Sequence, residues 1–141
     1  MTLRHDEDIV LAKLGLIDEA LGRIGRVVES RGELQPWIVD DLYALYLQRA
    51  VEACIDLANH LIAENRWTTP STASEAFRTL NEHGVVDDAF ASTLIAMVGF
   101  RNVAVHSYDS LDLDVVRAIV DEHLDDLRRF SRRIVAVTID S

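Results

Sequence analysis

At 141 residues the chain has the length of one domain, enough to bury a real core and too little for two, so residues 1–141 are read as a single unit. Its formal net charge of −10 excludes broad, sequence-independent affinity for nucleic acid, which rests on lysine and arginine neutralising phosphates. The lone cysteine excludes an intramolecular disulfide framework. No run approaches about 18 uninterrupted apolar residues and the start lacks the apolar stretch of a secretory signal, so a cytoplasmic protein with no membrane role is expected.

Only two prolines and six glycines interrupt a chain rich in Ala, Leu, Asp, Glu and Arg, which favours long helices. A first helix is predicted over residues 6–29. There Val10, Leu14, Ile17, Leu21, Ile24 and Val28 recur in steps of four and three and draw one apolar stripe. Arg31-Gly32 closes it, and Gln35-Pro36 starts a short connection. A second helix is predicted over 40–64, with Asp40-Asp41 in its positive first turn. Its apolar residues surround most of its girth, which calls for burial by several neighbours or a subunit interface. Asn59 and His60 near its end read as satisfied polar residues, and Cys54 as a buried, inert thiol.

Residues 65–70 read as loop, and Thr72-Ala-Ser-Glu75 has the form of a capping box opening a short helix to Glu82, which Gly84 ends. Asp87-Asp88 begins a fourth helix with Phe90, Leu94, Met97 and Val98 on one face. Seven places beyond Leu94 stands Arg101, so this arginine is expected to turn toward the apolar side. Asp112 is a good N-cap for a last helix, whose stripe is Val116, Val120, His123, Leu124, Leu127, Phe130 and Ile134. The cluster Arg128, Arg129, Arg132 and Arg133 reads as a helix face rather than a binding patch. The expected fold is an all-α antiparallel, up-and-down bundle of four long helices and one short one.

Several chemistries find no support. Di-metal bundles carry Glu-x-x-His on inward faces, yet the residues three before His60, His83, His106 and His123 are Leu57, Leu80, Val103 and Val120. Zinc spacings, phosphate-binding glycine loops and Gly-x-Ser-x-Gly are also missing, so neither a metal nor a cofactor is implied.

The densest polar chemistry lies in Arg101-Asn-Val-Ala-Val-His-Ser-Tyr108, within otherwise core-like surroundings. Arginine is a fixed cation whose planar fork suits phosphate oxygens, and histidine exchanges protons near neutral pH. Together they suit metal-free phosphoryl chemistry, RNA cleavage above all, because the ribose 2′-hydroxyl can itself attack the neighbouring phosphorus. His106 would then act as base or acid, Arg101 would hold the charged oxygens, Asn102 would orient either, and Tyr108 would donate to the substrate. The reaction wants two proton carriers and the motif holds one. A C2 homodimer facing two copies across its axis would complete the set. The same residues would equally suit a plain helix end, with Arg101, Asn102 and His106 near the last carbonyls and Tyr108 packed with its hydroxyl at the surface.

The run Gly99-Phe-Arg-Asn-Val-Ala-Val-His-Ser-Tyr-Asp109 resembles the Arg-x4-6-His motif of the HEPN superfamily and, more narrowly, the Arg-x4-His-x-Tyr form of HepT toxins. The stretch from Tyr46 through Ile62, Glu75-Ala-Phe77 and Gly84-Val-Val86 is similar to that family in the same order, so the resemblance spans about residues 42–116. It implies a metal-independent endoribonuclease toxin, a helical bundle acting as a dimer on RNA through an interface site. Arg101 and His106 take the catalytic positions and Asn102 the polar place after the arginine. Tyr108 takes the place of the tyrosine that an MntA-type, ATP-using nucleotidyltransferase antitoxin blocks by adenylylation. The Ser71-Thr-Ala-Ser74 segment departs from the family, which has aromatic and basic residues there, so no RNA contact is carried over to it. The alternative is a non-catalytic HEPN-like module that binds a nucleotide or a partner protein.

Overall fold

The computed structural model describes residues 1–140, and among them the regular secondary structure is entirely helical. The chain runs through α1 (Glu7–Ser30), α2 (Pro36–Glu64), α3 (Ala73–Glu82), α4 (Asp88–His106), α5 (Leu113–Glu122) and α6 (Leu124–Val137). Short 3-10 turns at Arg31–Glu33 and Tyr108–Ser110 join α1 to α2 and α4 to α5.

The helix starts follow from side chains that take up otherwise orphaned amides. Asp6 accepts from the Ile9 amide, Thr72 from Glu75, Asp87 from Phe90 and Asp112 from Asp114. At α3 the reciprocal arm of the capping box reaches one residue farther back, because the Glu75 carboxylate accepts from the Ser71 amide at 2.7 Å. The segment that departs from the family thus serves to start a helix. Gly84 takes φ +75° at the end of α3, the left-handed conformation that glycine adopts without a Cβ clash.

Two boundaries differ from the sequence reading. Helix α2 begins at Pro36, because proline fits the first helical position, where no amide hydrogen is required. Asp40 and Asp41 therefore lie in its second turn and not at the dipole's end. The final helix is two: His123 adopts φ −125°, ψ 5°, so the chain breaks there into α5 and α6 and the bundle has six helices. His123 is exposed and pairs with Asp126 at 3.0 Å instead of joining the core stripe.

Helix α2 is the hub, packing against all five other helices. Leu47, Ala50, Leu57, Ala58 and Leu61 are wholly buried around its girth, as its continuous apolar surface requires. Phe77 of α3 meets Phe130 of α6 edge to face, with ring centroids 5.8 Å apart, and closes the far side of the core. Cys54 is buried in this core, and desolvation pushes its thiol well above the ordinary range, so it is inert as a nucleophile. His60 accepts from the Asp6 amide at 3.0 Å and Asn65 exchanges hydrogen bonds with Arg4, tying the amino terminus to the end of α2.

Helix α4 is strongly apolar over most of its length, with its polar residues gathered toward its two ends. By length and composition it is sufficient to cross a membrane, but Phe90, Leu94, Met97, Val98 and Phe100 are buried in the core of the bundle. Along α4, Met97 and Phe100 also border an open, largely apolar groove of about 520 Å³ between α4 and α5, whose lining includes Val103, Leu111, Val115 and Ile119.

Candidate active site

The polar run closes α4, and the helix's rotation spreads its members. Arg101 and His106 are five residues apart, about 140° around the axis at 100° per residue, so one chain does not aim both at one point. Asn102 and His106, four apart, share a face.

Arg101 turns inward, as the step from Leu94 predicts. Its side chain is only 18% exposed and lies against α2, where Nε stands 3.1 Å from Glu52 Oε1. The approach is an ion pair without hydrogen-bond alignment, which leaves the buried Nε without a formal acceptor. A buried donor held beside a carboxylate but not matched to it is ready to donate to a better-placed oxygen. The sequence reading gives Glu52 no part in this region.

His106 is the last residue of α4 and is exposed, as is Asn102. Among the described residues neither side chain has a hydrogen bond or an ion pair, so neither is engaged in capping the helix end. The last turn is closed by the backbone, with the Ser107 amide donating to the Val103 carbonyl at 2.8 Å.

Tyr108 opens the 3-10 turn that follows. The residue is 43% exposed, and its hydroxyl donates to Oδ1 of Asp41 on α2. Partial desolvation first, then that hydrogen bond and the negative charges of Asp41 and Asp40, push the phenol up to about 12, so it stays protonated at neutral pH. The neighbouring Asp40 is used differently. It is buried at 6% exposure and receives both arms of Arg117 from α5, Nε to Oδ1 at 3.0 Å and Nη2 to Oδ2 at 2.7 Å. Arg117 also reaches Asp114 at 3.2 Å. The turn bearing Tyr108 is thus spanned by two contacts from α2, one to the turn itself and one to the helix after it.

The structure therefore joins Arg101 to Glu52 and Tyr108 to Asp41, and leaves His106 and Asn102 open to solvent. Glu52, Asp40, Asp41 and Arg117 were not read from the sequence as part of this region. Among the described residues no group of three or more His, Cys, Asp or Glu is arranged to hold a metal ion.

A family model described as Ribonuclease HepT-like matches residues 5–134, extending the resemblance through α1 and most of α6. The chain is 35% identical over 124 residues to the mRNA nuclease HepT of Shewanella oneidensis, covering 87% of this chain and 93% of that protein. It is 24% identical over 128 residues to the tRNA nuclease HepT of Aphanizomenon flos-aquae, covering 84% and 87%. Among solved structures it is similar to the tri-AMPylated HEPN toxin of Shewanella oneidensis in complex with MNT antitoxin. There the TM-score is 0.84 and the identity 35%, over 92% of this chain and 98% of the toxin.

Proposed function

Because the chain belongs to the ribonuclease HepT-like family, we propose that it is a metal-independent endoribonuclease toxin, with Arg101 and His106 as its catalytic pair and Tyr108 as the residue that an antitoxin modifies. The observation that carries this reading is the contrast within the motif. Arg101 is pinned and half-buried, while His106 and Asn102 stand free at a helix end. A plain helix end would consume those side chains on carbonyls.

In this mechanism a His106 imidazole takes the proton from a ribose 2′-hydroxyl, and the oxygen attacks the adjacent phosphorus. The bond from phosphorus to the 5′-oxygen breaks, a second imidazole protonates that leaving oxygen, and a 2′,3′-cyclic phosphate and a 5′-hydroxyl result. Arg101 stabilises the charge on the pentacoordinate phosphorus, and Asn102 orients a phosphate or the imidazole.

The second imidazole comes from a homodimer. The 140° divergence of Arg101 and His106 and the open apolar groove along α4 support it, since apolar surface left open calls for cover. The partner subunit's His106 then serves as the acid where this chain's serves as the base. RNA is the substrate, as for both nuclease relatives, and the reaction takes place in the cytoplasm.

Control of the toxin rests on a nucleotidyltransferase antitoxin that uses ATP, the kind of partner seen with the similar HEPN toxin. Adenylate on Tyr108 would bring a phosphate and a nucleotide beside the catalytic pair, offsetting the arginine's charge and filling the cleft.

The test is purified protein incubated with RNA in excess chelator, beside Arg101→Ala and His106→Ala. Cleavage is expected from the parent, with losses of about 10²–10⁴-fold in His106→Ala and of similar size in Arg101→Ala, at unchanged melting temperature. Retained cleavage in either variant would overturn the assignment.

A further inference from the structure

Modification of Tyr108 needs more than an exposed phenol. A phenol that stays protonated at neutral pH is a poor nucleophile, and its proton must leave as the new bond forms. The three tyrosines differ in what could receive that proton. Tyr43 is buried at 4% exposure. Tyr46 lies between two cations, with Arg23 and Arg49 at 5.7 and 5.6 Å from its ring centroid. Tyr108 alone combines exposure with a carboxylate on its hydroxyl.

That carboxylate has the properties of a base. Asp41 is exposed and, among the described residues, has no cationic partner. Its neighbour Asp40 carries the structural load, buried and engaged by both arms of Arg117. Two consecutive acids are thereby divided, one neutralised inside and one left free at the reacting oxygen. The charges that act on the phenol are those of Asp41 and Asp40 from α2. Arg117 of α5 is committed to Asp40 and Asp114, which leaves Asp41 as the unpaired negative charge at the hydroxyl and favours proton departure to it over formation of a free tyrosinate.

We propose that Asp41 is the proton acceptor for nucleotide transfer to Tyr108, so that the toxin chain supplies the base for its own silencing. The inference rests on Tyr108 being the modified residue. In the step, Oη of Tyr108 attacks the α-phosphorus of ATP. The Oη–P bond forms, the bond from the α-phosphorus to the bridging oxygen breaks, pyrophosphate leaves, and the phenolic proton passes to Oδ1 of Asp41.

The experiment uses the full chain, an antitoxin of the MNT kind found with the similar HEPN toxin, ATP and magnesium, with intact mass followed over time across a pH series. Wild type should gain AMP on Tyr108 at a rate nearly flat from pH 7 to 9. Asp41→Asn keeps an acceptor oxygen for the tyrosine but loses the basicity. It should slow the first transfer about 10²-fold at pH 7 and recover steeply as pH rises toward the ionisation of the phenol. Asp41→Glu should restore part of the rate, and melting temperatures should match. Transfer to Asp41→Asn at the wild-type rate, or a loss equal at every pH, would overturn the assignment of Asp41 while leaving the modification intact. A wild-type chain that takes no AMP at Tyr108 would instead remove the modification itself, and the base with it.

Discussion

The arginines of α6 and the polar run that ends α4 look alike in the sequence, each a group of cations beside apolar core positions. In the structure Arg133 donates to the Val85 and Gly84 carbonyls at 2.6 and 3.3 Å, sealing the positive-φ end of α3. Arg129 lies 4.1 Å from the centre of the Phe90 ring and reaches Asp87 at 3.4 Å. Arg132 has only a loose, exposed pairing with Asp125 at 3.9 Å. On α4, by contrast, Asn102 and His106 have no partner among the described residues and Arg101 has an imperfect one. Exposed Arg128, like Asn102 and His106, has no partner among the described residues, so composition and free capacity do not divide the two groups by themselves. What differs is that Arg129 and Arg133 of α6 fasten other elements while no polar side chain at the end of α4 does so with a well-aligned hydrogen bond.

The sharpest way to break this comparison is to truncate one residue on each side. His106→Ala is expected to remove about 10²–10⁴-fold of RNA cleavage and leave the thermal transition in place. Arg133→Ala should do the reverse, costing roughly 1–3 kcal/mol of stability through the loss of charged donors to two carbonyls and leaving cleavage per folded molecule intact. Chemical denaturation and single-turnover cleavage on the same preparations distinguish the two, and a cleavage defect in Arg133→Ala would end the distinction.

A finer probe is Glu52→Gln, which keeps the shape beside Arg101 and removes the charge. If Glu52 positions the guanidinium, cleavage should fall about tenfold with little change in RNA affinity, because the arginine is misplaced more than lost. A change confined to affinity would assign Glu52 to binding.

The smallest effect is spectroscopic. Tyr108 should ionise near pH 12, about two pH units above an ordinary tyrosine, as followed by tyrosinate absorbance. The protonated phenol is the form that folding favours. Its contribution to stability is therefore complete below about pH 10 and lost as pH rises through about 12. Asp41→Asn should move the ionisation back toward 10, and an unmoved value would mean that desolvation alone holds it.

Legibility of the fold in the sequence tracked the range of the interactions involved. Asp6, Thr72, Asp87 and Asp112 announce their helices because a cap acts within three residues. Gly84 announces a stop because its conformation is local. Pro36 is an equally local signal, since proline favours the first helical position, yet beside Gln35 it also suits a connection. The break at His123 left no trace in the hydrophobic pattern, since Val120, Leu124 and Leu127 keep their spacing across it. The motif was legible from residue types and from family resemblance. Its supports were not, because Asp41 meets Tyr108 across 67 positions and Asp40 meets Arg117 across 77. Nothing in either neighbourhood foretells a partner that only the fold brings near.

The bridge from Asp40 to Arg117 has a kinetic consequence for any enzyme that approaches Tyr108. Swinging α5 away from α2 would strand a carboxylate inside the bundle, so the connection at 107–112 behaves as a loop closed at both ends rather than as a hinge. A partner meets the phenol already oriented and already hydrogen-bonded. On the proposed modification of Tyr108, the encounter would be limited by docking on a fixed surface, with no waiting time for the acceptor to unfold, and the speed of silencing would depend on how much antitoxin is present.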